Sequence, residues 1–329
     1  MTAPEKIFQS LRASTWEEFV GQGKIKKALK VALSAAKKRQ EPSEHILLYG
    51  PPGLGKTTLA HLIAKQMNVN IRSTSGPAIE RAGDLASILT NLEDNDIFFV
   101  DEIHRLTKVV EETLYPAMEE HHLDIVVGQG PSARTLKLDL PHFTLIGATT
   151  RIGLIAAPLR DRFGIVHRLT FYTPNDLAQI LQTAAQKLKI KLDLKVAKSL
   201  ARRSRGTPRI ALKLLKRCRD LAQIKGESAI TPDILKQSLQ LLEVDDMGLD
   251  ANDRRLLKAL INQHQGGPVG LETLAATIAE EKDTLEEVIE PYLLQIGFLK
   301  RSHRGRLATA KAFQHFNKKI PKAIQQKLI

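Results

Sequence analysis

Lys56 and Thr57 close the run Gly50-Pro-Pro-Gly-Leu-Gly-Lys56-Thr57, two glycines separated by four residues and followed by a cation and a hydroxyl. Gly50 and Gly55 at that spacing, with Gly53 between them, let the backbone curl so that several N–H groups converge on one anion. A helix opening at the lysine adds the positive end of its dipole. This is the pattern of a nucleotide phosphate loop: Lys56 reaches the β- and γ-phosphates of ATP, Thr57 offers its hydroxyl to Mg²⁺, and Thr58 is a further nucleotide-binding candidate. About 45 residues on, Ile97-Phe-Phe-Val100 ends in Asp101-Glu102. Asp101 is placed to hold Mg²⁺ through water, and Glu102 to polarise an attacking water. Thr149 and Thr150 end a third apolar run, where a hydroxyl can meet the γ-phosphate or the lytic water; a plain turn is the other reading. Pro158-Leu-Arg160-Asp-Arg162-Phe163 carries two arginines. Either an arginine completes a neighbouring subunit's site, or it pairs locally with Asp161.

These residues need a scaffold. His45–Tyr49, Asp96–Asp101 and His142–Ala148 are short apolar runs of the kind buried on both faces of a parallel sheet. Helical spacing over 15–40 and Thr57–Met67 alternates with them. Strand–helix alternation predicts an α/β fold, a parallel sheet flanked by helices. Asp124–Asp139 reads as a hairpin around a Gly/Pro turn, with Ile125, Val127, Leu136 and Leu138 alternating with polar residues. Over 175–240 the pattern is helical, punctuated at Gly206-Thr-Pro208, Lys225-Gly226 and Thr231-Pro232, with no strand signal. From about Met247 helices run to about Ile296, and two short strands then flank a basic glycine loop, the outline of a winged helix. The expected division is an ATPase domain at 1–172, a helical lid at 173–246 and a winged-helix domain with a basic tail at 247–329.

The 329 residues carry 49 Lys+Arg and 36 Asp+Glu, a net charge of +13. The excess is segregated: thirteen bases and one acid from Lys187 to Arg219, nine acids and four bases from Leu249 to Glu290, then nine bases and no acid from Pro291 to Ile329. Such blocks favour a polyanionic partner over a uniformly solvated surface. Arg301, Arg304 and Arg306 are the candidate duplex contacts. Arginine and lysine with few Asn or Gln suit phosphate tracking more than base reading. The lone Cys218 excludes an intramolecular disulfide. No apolar run approaches the roughly 20 residues of a membrane span, and the N-terminus lacks the apolar core of a secretory signal, so a cytoplasmic protein is expected. His121-His122, adjacent and read as helical, point about 100° apart and would not share a metal.

Taken together, Gly50–Thr58, Val100-Asp-Glu-Ile-His-Arg-Leu106, Glu112-Thr-Leu-Tyr-Pro-Ala-Met-Glu119, Gly147-Ala-Thr-Thr-Arg151, Pro158–Gly164, Gly206-Thr-Pro-Arg209 and Gly266-Gly-Pro-Val-Gly-Leu271 resemble the RuvB family. These are bacterial AAA+ motors that drive branch migration of Holliday junctions. The resemblance runs from about Leu11 to about Phe316. It implies Walker A residues at Lys56 and Thr57, a Walker B pair at Asp101-Glu102, sensor 1 at Thr149-Thr150, an arginine finger at Arg162 and sensor 2 at Arg209. It also implies adenine-side contacts from Leu11, Arg12 and Tyr172, and an approach to the neighbouring subunit's nucleotide by Glu119, Glu120 and His121. By the same resemblance the hairpin at 123–140 docks RuvA through Leu136 and Leu138, RuvC is a further partner, a homo-hexameric ring surrounds duplex DNA, and the wing arginines touch it. The tail after Phe316 matches no family pattern. A nucleotide-switched initiator or loader, holding DNA without translocating it, is the alternative from a different functional class.

Overall fold

The computed structural model describes residues 10–127 and 134–321. The chain divides into two compact units, Met1–Asp176 and Leu177–Ile329.

The first unit is built on five parallel strands, in the order β2-β3-β6-β1-β7. They are β1 (Ile46–Tyr49), β2 (Ile71–Ser75), β3 (Ile97–Asp101), β6 (Thr144–Thr149) and β7 (Ile165–Arg168). The central strands β1, β3 and β6 are the three apolar runs expected from sequence, buried almost throughout. Register aligns Tyr49 with Thr149 and Val100 with Gly147. The carboxyl ends of β1, β3 and β6 therefore share one edge, where ligands sit in open α/β sheets. Phe98, Val100 and Leu145 pack with Leu85, Leu89, Val110, Leu114 and Phe143 in a core beneath that edge. At roughly 1.5–3 kcal/mol per buried large apolar side chain, this core holds the strand ends in place.

Two strands escape the apolar-run pattern because they lie at the sheet edges: β2 is Ile-Arg-Ser-Thr-Ser and β7 is Ile-Val-His-Arg, each half-exposed. The helix expected from residue 15 begins only at Gly23 and runs to Arg39. Before it lie turns that bury Leu11, Trp16 and Phe19; Phe19 fits helical spacing but packs in a loop. The hairpin forms from β4 (His122–Val127) and β5 (Arg134–Asp139), antiparallel with Ile125 opposite Leu136. Its Gly/Pro turn, 128–133, lies outside the described residues, as do 322–329 of the basic tail. His122 belongs to β4, and His121 has a φ of 52°, so the pair is not helical. What separates the two rings is the strand start.

The second unit contains the helices Leu194–Arg202, Pro208–Ile224 and Pro232–Leu241, together with a two-residue parallel pair absent from the sequence expectation, β8 (Lys191–Leu192) with β9 (Ala229–Ile230). A two-residue strand is too short to show a period. Thr207 and Thr231 cap their helices, each accepting from the backbone N–H three residues on. Cys218 is buried in Pro208–Ile224, and burial pushes its thiol up to about 11 despite the neighbouring cations. Further on, the helices Ala251–Asn262 and Leu271–Ile278 and the strands β10 (Leu299–Ser302) and β11 (Gly305–Ala308) form the winged helix around Leu257, Leu260, Leu274, Leu293, Phe298 and Phe313. Arg205 joins it to the preceding helices. Its Nε donates to the Gly248 carbonyl at 3.0 Å, and its Nη2 is bonded to Asp253 and lies 2.6 Å from Asp250.

Candidate nucleotide and DNA sites

At the end of β1 the chain turns through Gly50, Gly53 and Gly55, with φ of 139°, 78° and 99°, values that an L side chain rarely adopts. A Cβ on Gly50 would stand 2.5 Å from the Leu169 carbonyl oxygen. The helix Lys56–Met67 starts at once, with Gly55 as its cap. Buried Lys56 donates from Nζ to the carbonyls of Gly50 at 2.8 Å and Pro51 at 3.1 Å. The Thr57 hydroxyl donates to Asp101 Oδ2 at 3.3 Å, and Asp101 Oδ1 accepts from the Glu102 N–H. Lys56, Thr57 and the β3 carboxylate are therefore assembled as the spacing requires, with Thr58 half-buried beside them.

Glu102 adopts a left-handed backbone, φ 48° and ψ 47°, and caps the short helical turn Ile103–Arg105. Non-glycine residues held in this region cost on the order of 1–3 kcal/mol and concentrate at functional sites. Gly76 makes room for the bend, since a Cβ there would meet the Glu102 carbonyl oxygen at 2.5 Å. The carboxylate turns toward β6: Oε2 accepts from the Thr150 hydroxyl at 3.2 Å and from the Thr150 N–H at 3.4 Å. The two threonines thus differ. Thr149 is fully buried, and its hydroxyl meets His104 Nδ1 at 2.9 Å and accepts from the Arg151 N–H; Thr150 alone touches Glu102.

Of the residues expected on the adenine side, Leu11 is buried and Arg12 exposed, near His61. Tyr172 is buried with its hydroxyl donating to the Leu54 carbonyl at 3.0 Å, and burial raises its pKa. Its ring lies so close to Gly21 that a Cβ there would be 2.8 Å away. The segment before the first helix is thereby fastened over the phosphate loop. Arg162 pairs with Glu119 at 2.9 Å, donates to the Pro158 carbonyl at 2.7 Å and lies 4.6 Å over the Tyr115 ring. The local partner is thus Glu119, while Asp161 pairs with Arg160. Glu120 is exposed and His121 half-buried against His142. Tyr115, on which Arg162 stacks, has no role that the sequence pattern alone assigns. Its signal was its place four residues before Glu119, one turn along the same helix face. Arg209 stands exposed at the second position of Pro208–Ile224, in the second unit.

In the hairpin, Leu136 is half-exposed, whereas Leu138 packs partly against the core of its own unit. In the wing, the three arginines are not equivalent. Glu290, nearly fully buried, accepts from Arg301 at 2.7 Å and from Arg306 at 2.8 Å. Burial alone would raise its pKa, but the two guanidinium groups hold it below the ordinary range. Arg306 is mostly buried in this clamp and departs from the expectation of a free phosphate contact, because a buried carboxylate needs its charge matched. Arg301 is about half-exposed, and Arg304 is fully on the surface at the turn. Gly305 allows that turn because a Cβ would collide with the Val269 carbonyl at 2.2 Å.

A phosphate loop, a strand-end Asp-Glu, strand-end threonines and a helical lid define an ATPase of the AAA+ class. Three family models match in succession: the Holliday junction DNA helicase RuvB P-loop domain over residues 11–169, the RuvB AAA lid domain over 172–245 and the RuvB C-terminal winged helix domain over 246–317. The chain is 49% identical to the Thermotoga maritima RuvB Holliday junction branch migration motor, with a TM-score of 0.87, covering 95% of this chain and 100% of that one. An alanine-to-serine mutant of the Thermotoga protein gives a TM-score of 0.88 at 49% identity over 94% of this chain and 99% of that one. The chain belongs to the RuvB family.

Proposed function

We propose that this chain is the ATP-driven motor that moves duplex DNA through Holliday junctions and so migrates their branch point in recombination and repair. The observation that carries this is the joining of a hydrolysis-competent phosphate site to a winged helix within one chain of this family. Thr57 and Asp101 supply hard oxygen donors 3.3 Å apart, a donor set that suits Mg²⁺ held partly through water. Bound there, the ion would neutralise charge on the β- and γ-oxygens. Lys56 holds the phosphates, and Glu102 orients the attacking water while Thr150 fixes its carboxylate. Arg162 serves a neighbouring subunit's γ-phosphate, and Glu119, Glu120 and His121 approach from that same side. Arg209 reports the nucleotide to the lid. Leu11, Arg12 and Tyr172 contain the base.

In this reading 1–172 is the ATPase domain, 173–246 the lid and 247–329 the winged helix, six copies encircle the duplex, and the site of action is the cytoplasm. Arg304 and the exposed part of Arg301 face phosphates, with Arg306 buttressing the wing. RuvA docks on the hairpin through Leu136, and RuvC joins the assembly. ATP hydrolysis with and without duplex DNA tests the coupling: a motor accelerates on duplex, and an identical rate counts against it.

A further inference from the structure

His104 has no part in the mechanism above, yet its ring touches both the end of β6, through Thr149, and Glu102. It lies in the turn that Glu102 caps, and its side chain is buried beside a half-exposed Glu102. One ring atom, Nδ1, is 2.9 Å from the Thr149 hydroxyl and 3.3 Å from Glu102 Oε2. The same Oε2 takes the Thr150 contacts. Thr149 is itself fixed, being fully buried and accepting from the Arg151 N–H at 2.9 Å. The ring is thus tied to the end of β6, and Glu102, whose backbone is held in a left-handed bend, rests against it.

The hydrogen-bond arithmetic is restrictive. A protonated Nδ1 donates toward Glu102 Oε2 and Thr149. An unprotonated Nδ1 accepts the Thr149 proton and presents a lone pair to the carboxylate, leaving Thr150 as its holder. Either way, the ring bounds one side of the space in which Oε2 can stand, and Thr150 bounds the other. Resting on the reading that Glu102 orients the attacking water, we infer that His104 is a positioning residue for Glu102, carrying the placement of β6 through Thr149 to the carboxylate. A carboxylate that must align a water tolerates little displacement, and misplacement on the order of 1 Å costs about a hundredfold in rate.

The test separates position from packing. Asn at 104 keeps a polar atom near Nδ1; Gln places its amide further out; Ala removes both. His104→Ala should lower kcat for ATP by about 10- to 100-fold while nucleotide affinity stays within about twofold, and His104→Asn should recover most of the loss that His104→Gln does not. In a Glu102→Gln background, His104→Ala should cost nothing further, because the group it positions is gone. If His104→Ala proves unstable by thermal unfolding, the Asn and Gln variants decide alone. Wild-type turnover in His104→Ala, equal rates in the Asn and Gln variants, or full additivity with Glu102→Gln would overturn the inference. Undiminished turnover in Glu102→Gln itself would instead remove the catalytic reading on which it rests.

Discussion

The Thr150 hydroxyl donates to Glu102 Oε2 at 3.2 Å, and the Thr150 N–H points at the same oxygen. The residue that follows β6 thereby holds the residue that follows β3, although 48 positions separate them in sequence. Removing that hydroxyl while preserving shape, as in Thr150→Val, should cut turnover by roughly 10-fold or more with ATP binding retained, measured by steady-state hydrolysis beside nucleotide titration. Thr149→Val should act differently. Its buried hydroxyl serves Arg151 and His104, so a loss of about 1–3 kcal/mol in stability should accompany any loss of rate.

Arg162→Ala should leave ATP binding intact and reduce hydrolysis by on the order of 10³-fold, the usual worth of an arginine finger. Mixing it with Lys56→Ala subunits distinguishes the mechanism. One variant lacks the finger and the other lacks the phosphate cation, so some mixed interfaces pair an intact phosphate loop with an intact finger. Partial recovery of activity is expected, and none would place Arg162 in its own subunit's chemistry.

The wing separates two kinds of arginine. Arg304→Ala should weaken duplex binding similarly for unrelated sequences and reduce the salt slope by roughly 0.9 per lost phosphate contact. Arg306→Ala should instead destabilise the protein, on the order of 3 kcal/mol, because Glu290 keeps its charge in a buried place with one partner fewer. Chemical denaturation of both variants, alongside DNA titrations, reads the two effects separately.

Much of this was legible in the sequence, and the exceptions share a cause. Lys56, Thr57, Asp101 and Glu102 are fixed by local rules: a glycine turn between a buried strand and a helix, and a carboxylate at the end of the next buried strand. The apolar strands β1, β3 and β6 announce themselves because both their faces are covered. Edge strands β2 and β7 do not, being half-exposed and polar. Nor does the Glu290 clamp, because it depends on β10 and β11 folding back onto a residue 11 and 16 positions earlier in the chain. Residues that act by long-range contact, His104 and Tyr115 among them, lie inside motifs that the sequence displays without revealing what each side chain touches.

The joint at Arg205 should be sensitive to pH. Burial raises the Asp253 carboxyl to about 7 even with Arg205 beside it, against roughly 3.9 in an unfolded chain. Between these values the folded state keeps a proton that the unfolded state has lost, so stability falls as pH rises from about 4 to about 7 and is level above that. Denaturant unfolding followed across this range should show the decline, and Asp253→Asn should flatten it.

Leu136→Asp should abolish stimulation of branch migration by RuvA while sparing hydrolysis in the absence of DNA. Leu138 packs partly on its own core, so Leu138→Asp should lower thermal stability and impair both activities. A stable Leu138→Asp variant with normal hydrolysis would assign that residue to the docking face after all.

The most direct measurement uses a mobile four-way DNA junction incubated with this chain, RuvA and ATP–Mg²⁺, with the duplex products of branch migration followed over time. The account predicts ATP-dependent conversion of the junction to duplexes, lost in Glu102→Gln although that variant still binds nucleotide and DNA. ATP hydrolysis accompanied by DNA binding but no movement of the branch point would contradict it, and would make the chain a nucleotide-switched loader.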